Sequence, residues 1–245
     1  MTMGNRGLIG VAVAAVAVSV TLTGCSSKDR ATSVSTSSAS PSSSAARTTV
    51  AGNPGNSKLA PRTLDTTGGS NYTIADYIKD QHITESQVHN GDPGAPAIGL
   101  PYPDGWANAG ADTPDYAIGA IVYSGPDTAG ANYTPNIIAL MSKLQGKVDP
   151  QKLIDDAAGE IRNLPGFSQI GAGSVTTVSG FPAYRIAGTY TLQGIPAVSA
   201  QETVVIPGAG GAYYVLQLNA TSNQDQAGLL QSAIETIDQQ ITITV

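Results

Sequence analysis

Chemistry near neutral pH draws first on imidazoles and thiolates, and this chain of 245 residues carries two histidines and one cysteine. His82 stands near the end of a helical pattern and His89 in a polar segment, without a helical or cysteine partner at metal-ligating spacing. Both read as surface residues. No Gly-x-Ser-x-Gly elbow occurs, so the many serines lack the strained turn that would expose a nucleophile. Asp155 and Asp156 are expected on the solvated side of a helix. Gly208-Ala209-Gly210-Gly211 sits between two strand patterns, which makes it a hairpin turn and not a phosphate cradle. These residue types imply a non-enzyme, with no catalytic set, no metal and no cofactor.

Cys25 has a more specific context. Arg6 and the apolar run Leu8 to Val20 have the two-part layout of a secretory signal, too short to span a bilayer comfortably and without a basic stop-transfer cluster. The following Leu22-Thr23-Gly24-Cys25 resembles the bacterial lipobox at all four positions. Small residues before the cysteine let an extended chain enter a tight peptidase site, and the thiolate is the nucleophile that takes the diacylglycerol. The expectation is cleavage between Gly24 and Cys25, lipid on Cys25, and an anchor in the cell membrane on its extracytoplasmic face. At least two acyl chains, at ~0.8 kcal/mol per buried methylene, make a stable anchor. As the sole cysteine, Cys25 also excludes a disulfide within the monomer.

Tyrosine is the informative aromatic residue: there are ten, against two phenylalanines and one tryptophan. Its ring buries apolar area while its hydroxyl stays available to water or a ligand, which suits the wall of a cleft for an amphipathic molecule. The candidates are Tyr102, Trp106, Tyr116, Tyr123, Tyr184, Tyr190 and Tyr214. Tyrosine also favours strands for packing reasons alone, so plain sheet core and surface stands as the alternative. Tyr184 and Tyr190 should share one side of a strand, and Tyr213 and Tyr214 should point to opposite sides. Arg185 and Glu202 should meet across a hairpin centred near Gly194.

The elements that must position these residues begin after a tether. Residues 1–24 read as the signal peptide, and residues 25–71 are rich in Ser, Thr, Ala, Gly and Pro and cannot bury enough apolar area to order themselves. Such a coil would hold a domain on the order of 35 to 40 Å from its anchor. Residues 25–71 hold five basic and two acidic side chains, whereas residues 72–245 hold six basic and sixteen acidic. A domain with net charge −10 argues against nucleic acid, whose recognition needs a basic face. Within 72–245 the patterns predict a helix at Thr73 to His82, capped by Thr73 and Asp76, and a short extended piece at Ala97 to Leu100. Strands follow at Ala117 to Tyr123 and Asn136 to Leu144, then one helix from Asp149-Pro150 to Leu164. Four more strands are expected near Gln169 to Val178, Ala183 to Leu192, Val198 to Ile206 and Ala212 to Ala220. Their turns are Ser179-Gly180-Phe181-Pro182, Gly194-Ile195-Pro196 and Pro207 to Gly211. A last helix runs from Asn223 to about Gln239. Hairpin-joined strands interrupted by isolated helices imply the α+β class, an antiparallel β-sheet flanked by helices.

Gly91-Asp92-Pro93-Gly94-Ala95-Pro96-Ala97-Ile98-Gly99-Leu100-Pro101-Tyr102-Pro103-Asp104-Gly105-Trp106, then Asp112-Thr113-Pro114, Gly119-Ala120-Ile121-Val122-Tyr123 and Leu164-Pro165-Gly166-Phe167, resemble the mycobacterial LpqN/LpqT lipoprotein family. The likeness runs from about Thr73 to Val245. It implies a PsbP-like α/β/α sandwich, an actinobacterial cell envelope, and a role there in handling envelope lipids. It transfers no catalytic residue. Two functions compete on this basis: a binding or carrier protein for amphipathic envelope lipids or glycolipids, serving lipid-export or acyl-transfer proteins; and a protein-interaction module that scaffolds envelope enzymes or exporters or meets host proteins, using loops such as Gly91 to Trp106.

Overall fold

Thr73 opens the first helix, α1 (Ile74–Asp80), through a reciprocal pair of bonds. Its hydroxyl accepts from the Asp76 amide at 3.1 Å, and its own amide donates to Asp76 Oδ2 at 3.0 Å. The box satisfies donors that a helix start otherwise leaves orphaned. Ile74 and Tyr77 then fall on the buried side. The computed structural model describes residues 69–126 and 133–245. The expected signal peptide, Gly24, Cys25 and the tether up to residue 68 lie outside the described residues.

Among the described residues nine strands form one antiparallel sheet. Its centre is β5 (Asn136–Gln145), β10 (Tyr213–Asn223), β9 (Ile195–Pro207) and β8 (Phe181–Leu192), side by side in that order. The outer side of β5 is shared by β4 (Gly119–Tyr123) and β1 (Thr84–Gln87), with β3 (Trp106–Asn108) beyond β4. The outer side of β8 is shared by β6 (Ser168–Gln169) and β7 (Ser174–Val178). A separate two-stranded ladder joins β2 (Ala97–Gly99) to β11 (Thr242–Thr244).

Alternation along each strand divides the side chains between two faces. β10 sends Tyr214, Leu216, Leu218 and Ala220 to one face, where α4 (Ala227–Gln240) covers them with Leu230, Ala233 and Ile237. Tyr213 and Val215 go to the other face, under α1 and α2 (Pro150–Asp155), and α3 (Gly159–Arg162) packs beside them on Ile186 of β8. Helices thus flank both faces of an antiparallel sheet, the α+β class that the hairpin pattern implies. Among the described residues no helix is long and apolar enough to cross a membrane.

Several elements differ from their patterns for identifiable reasons. The single helix expected from Asp149 to Leu164 is two, broken at Asp156 to Ala158. Gly159 resumes it where the chain comes against Tyr72: a Cβ there would stand 2.0 Å from the Tyr72 carbonyl oxygen. Asn71 anchors the same approach, with its amide and Nδ2 on Asn163 Oδ1 at 3.0 and 2.9 Å. Asp156, expected exposed, is 9% exposed, its Oδ1 3.4 Å from Lys152 Nζ, while Asp155 stays in solvent. The strand expected at Gln169 to Val178 is two strands, because Gly171 takes φ +66° between them. The β8–β9 turn is Gln193-Gly194, both with positive φ, so Ile195 and Pro196 belong to β9. Likewise Ser179-Gly180 alone forms the β7–β8 turn, and Phe181 and Pro182 belong to β8. The last helix begins at Ala227 after a 3₁₀ turn, β10 having run on to Asn223. β1, β3 and β11 were not legible as strands, for they are three or four residues long and take their pairing from a neighbour.

A candidate ligand cavity under the last helix

β3 and β4 pair so that Trp106 lies opposite Tyr123, and the two rings meet edge to face, centroids 5.8 Å apart at 64°. Such a pair adds about 0.5 to 1.5 kcal/mol beyond the area it buries. Gly105 makes the turn into β3 possible twice over: its φ is +78°, and a Cβ there would meet the Tyr123 ring at 2.7 Å. Its carbonyl also accepts from the Ser124 amide at 2.8 Å, closing the ladder end. Tyr102 stands at the rim, 56% exposed, its hydroxyl accepting from Asn108 Nδ2 at 3.0 Å.

Facing these rings, α4 presents Leu229, Ser232, Ala233, Thr236 and Gln240, one stripe at helical spacing. Between the two walls is a cavity of about 420 Å³ that opens to the surface, with Pro103 and the exposed Asp104 on its remaining side. The hydroxyls of Ser232 and Thr236 donate to the carbonyls of Gly228 and Ser232 one turn back, which fixes their direction and leaves their oxygen lone pairs for a ligand. The site therefore offers aromatic rings on one side and hydroxyl, amide and carboxylate groups on the other. That combination fits a polyhydroxylated ring with an apolar continuation.

The seven aromatic candidates do not share this space. Tyr102, Trp106 and Tyr123 line it. Tyr214 is on the same face but packs into the core, its hydroxyl donating to the Gly94 carbonyl at 2.9 Å and its ring below Lys143 Nζ. Tyr184 and Tyr190 go to the opposite face, where Tyr184 is covered by α3 through Ile161. Tyr190 and Tyr116 instead neighbour Tyr133, whose hydroxyl accepts from Asn136 Nδ2 at 2.6 Å and whose pKa burial pushes well up. Three of the seven candidates thus line this cavity, and Tyr116, Tyr184, Tyr190 and Tyr214 are not among its lining residues. The polar stripe Ser232, Thr236 and Gln240 was missed, although its four-residue spacing beside the apolar positions of the last helix is visible in the sequence. His82 is exposed in a turn with φ +53°, and His89, also exposed, has Nδ1 3.6 Å from Asp92 Oδ2.

A second cluster lies under the same helix. Arg185 and Glu202 are cross-strand partners, and Glu202 Oε1 accepts from Arg185 Nε at 3.1 Å and Nη2 at 2.6 Å. Asp238 of α4 joins them, its Oδ1 2.8 Å from Arg185 Nη2. Burial holds the Glu202 carboxyl up at about 7 against the pull of Arg185, and burial raises Asp238 too.

Known proteins place the chain. A family model described as "Probable lipoprotein LpqN" matches residues 70–244. "Lipoprotein LpqN" of Mycobacterium tuberculosis is 44% identical over 176 residues, 72% of this chain and 75% of that protein. A crystal structure described as that of LpqN involved in cell envelope biogenesis of Mycobacterium tuberculosis superposes with a TM-score of 0.67 at 48% identity, covering 72% of this chain and all of that one. With this extent of match in sequence and in fold, the chain belongs to the LpqN lipoprotein family.

Proposed function

We propose that the domain is a non-enzymatic carrier for an amphipathic envelope glycolipid, held at the extracytoplasmic face of the membrane by lipid on Cys25 and a tether of residues 25–71. The observation that carries this reading is the cavity of about 420 Å³ between the Trp106–Tyr123 pair and the polar stripe of α4. Its size lies in the range of small-molecule sites, and its two walls match the two halves of a sugar headgroup, ring faces and hydroxyls. Membership in a lipoprotein family, and the envelope role named for the Mycobacterium tuberculosis relative, support the setting. Lipid-export and acyl-transfer proteins are the proposed recipients.

Native mass spectrometry of the protein purified from an actinobacterial host, with thermal shifts against trehalose glycolipids, tests the carrier. Co-purifying glycolipid and a rise in melting temperature are expected. No bound lipid and no shift would overturn it. Incorporation of labelled palmitate, abolished in Cys25→Ser, tests the anchor separately.

The alternative, a protein-interaction module, is favoured by one observation. The loop from Gly91 to Trp106 is pinned to the sheet by the Tyr214–Gly94 bond and displays Tyr102 on its surface. A specific crosslink from this loop to an envelope or host protein, without lipid binding, would select that reading.

A further inference from the structure

Glu202 from β9 and Asp238 from α4 meet across the sheet–helix interface at one guanidinium nitrogen, Glu202 Oε1 2.6 Å and Asp238 Oδ1 2.8 Å from Arg185 Nη2. Two carboxylates so close together and poorly solvated repel one another, which favours a retained proton on one of them. Arg185 lies against both, so the trio is neutral with that proton and carries one net negative charge without it. Among the described residues, Arg185 is the one cation in contact with the two carboxyl groups. β5 and β10 contribute Ile137, Leu218 and Ala220, β9 adds Ala200 and Gln201, and α4 adds Ile234 and Ile237, while Glu235, a further charge acting on Asp238, is also negative. A hollow of about 20 Å³, room for one water, is lined by the same residues together with the trio itself.

The helix that carries Asp238 also forms one wall of the ligand cavity, and Thr236 and Gln240 flank Asp238 on either side. We propose that a proton retained by the Glu202–Asp238 pair on Arg185 seats α4 on the sheet, and that its loss as pH rises loosens the helix and widens the cavity. The domain then holds cargo in mildly acidic surroundings and releases it in neutral or alkaline ones. Only this consequence for cargo rests on the carrier reading.

When the proton leaves, Arg185 can neutralise one carboxylate, and the second remains buried without a partner of opposite sign. Separation of α4 from β9, with water entering the hollow, relieves that charge. Raised carboxyl pKa values at both groups agree with a proton retained into the neutral range.

Hydrogen exchange of the α4 amides, corrected for intrinsic rate and referred to the β9 and β10 amides, tests the seat without cargo. The intact protein should lose about tenfold protection over residues 227–240 between pH 6 and pH 8. Glu202→Gln, which keeps the shape and cannot ionise, should lose none, and Asp238→Asn should behave alike if the first variant folds poorly. Equal protection of wild-type α4 at the two pH values, or the same pH response in wild type and both variants, would overturn the latch. Titration with dodecyl maltoside at each pH reads the consequence: affinity should fall several-fold from pH 6 to pH 8 in wild type only. Absence of binding at either pH would overturn the carrier reading and leave the latch to be decided by exchange.

Discussion

Trp106 and Tyr123 face one another across the β3–β4 ladder, and their edge-to-face contact is both a core contact and the aromatic wall of the cavity. Each ring is 8% exposed, so the pair is rigid before any ligand arrives. Because Trp106 is the only tryptophan in the chain, the intrinsic emission of the protein comes from this wall. Addition of an alkyl disaccharide should shift or quench that emission, and the chain with Tyr102→Ala should need several-fold more ligand for the same change. Trp106→Ala should cost about 3 to 5 kcal/mol of stability, in the range of large-to-small core replacements, and abolish binding. Unchanged emission at saturating ligand would place the site elsewhere.

The Tyr214 hydroxyl ties the sheet to Gly94, 120 residues earlier, in the loop that leads to Tyr102 and Trp106. Phenylalanine at 214 keeps the ring in the core and its contact with Lys143, and deletes one bond. The loss should be about 1 kcal/mol, the net worth of one hydrogen bond. Its effect should be local. Hydrogen exchange over residues 91–106 should accelerate while the amides of β9 and β10 remain protected, and urea unfolding should show a lower midpoint with the same slope.

Much of this architecture can be read from the sequence wherever a pattern is long. β8, β9 and β10 are strand-forming runs of eleven or more residues, and the register of β8 on β9, including Arg185 opposite Glu202, follows from the position of one tight turn. Where structure depends on a partner far along the chain, the sequence carries little sign of it. β1 is four exposed residues that are a strand only because β5 extends past β4. The site divides in the same way. Trp106 and Tyr123 are conspicuous as aromatics, yet which tyrosines share a cavity is decided by which sheet face α4 covers. Asp238 joins Arg185 for the same reason, from an element whose placement no local pattern fixes.

Gly159 poses a contest of two effects with opposite signs. Alanine in a helix is better than glycine by about 0.8 to 1.0 kcal/mol, so propensity alone predicts stabilisation. A Cβ at this position would lie 2.0 Å from the Tyr72 carbonyl oxygen and 2.9 Å from Thr73 Cα, which are backbone and cannot rotate away. Overpacking of this kind costs about 1 to 3 kcal/mol and should win. Gly159→Ala is therefore expected to lower the denaturation midpoint and to free the Asn71–Asn163 contacts, seen as faster exchange at the start of α1. A more stable variant would mean that the segment before Thr73 shifts at little cost.

The acidity of Glu202 makes stability depend on pH in the unusual direction. Its carboxyl titrates at about 7 in the folded protein against 4.5 for the free group, with burial as the main cause and Arg185 opposing it. Between those values the folded chain binds a proton that the unfolded chain has released, so stability falls as pH rises across the window. The contribution is full below about 4.5 and gone above about 7, the reverse of a salt-bridged carboxylate with a depressed pKa. Asp238 shifts in the same sense. Thermal unfolding should therefore give a melting temperature on the order of 5 °C higher at pH 5.5 than at pH 8, from the few degrees that each kcal/mol moves a domain of this size. Other carboxylates add their own slope, so the comparison that isolates Glu202 is with Glu202→Gln. Wild type and variant should approach each other at pH 5.5, where both are uncharged at this position, and diverge by pH 8, with the variant the more stable. Parallel curves across that range would mean that Glu202 ionises within the folded protein without strain, with Arg185 alone sufficient to hold its charge.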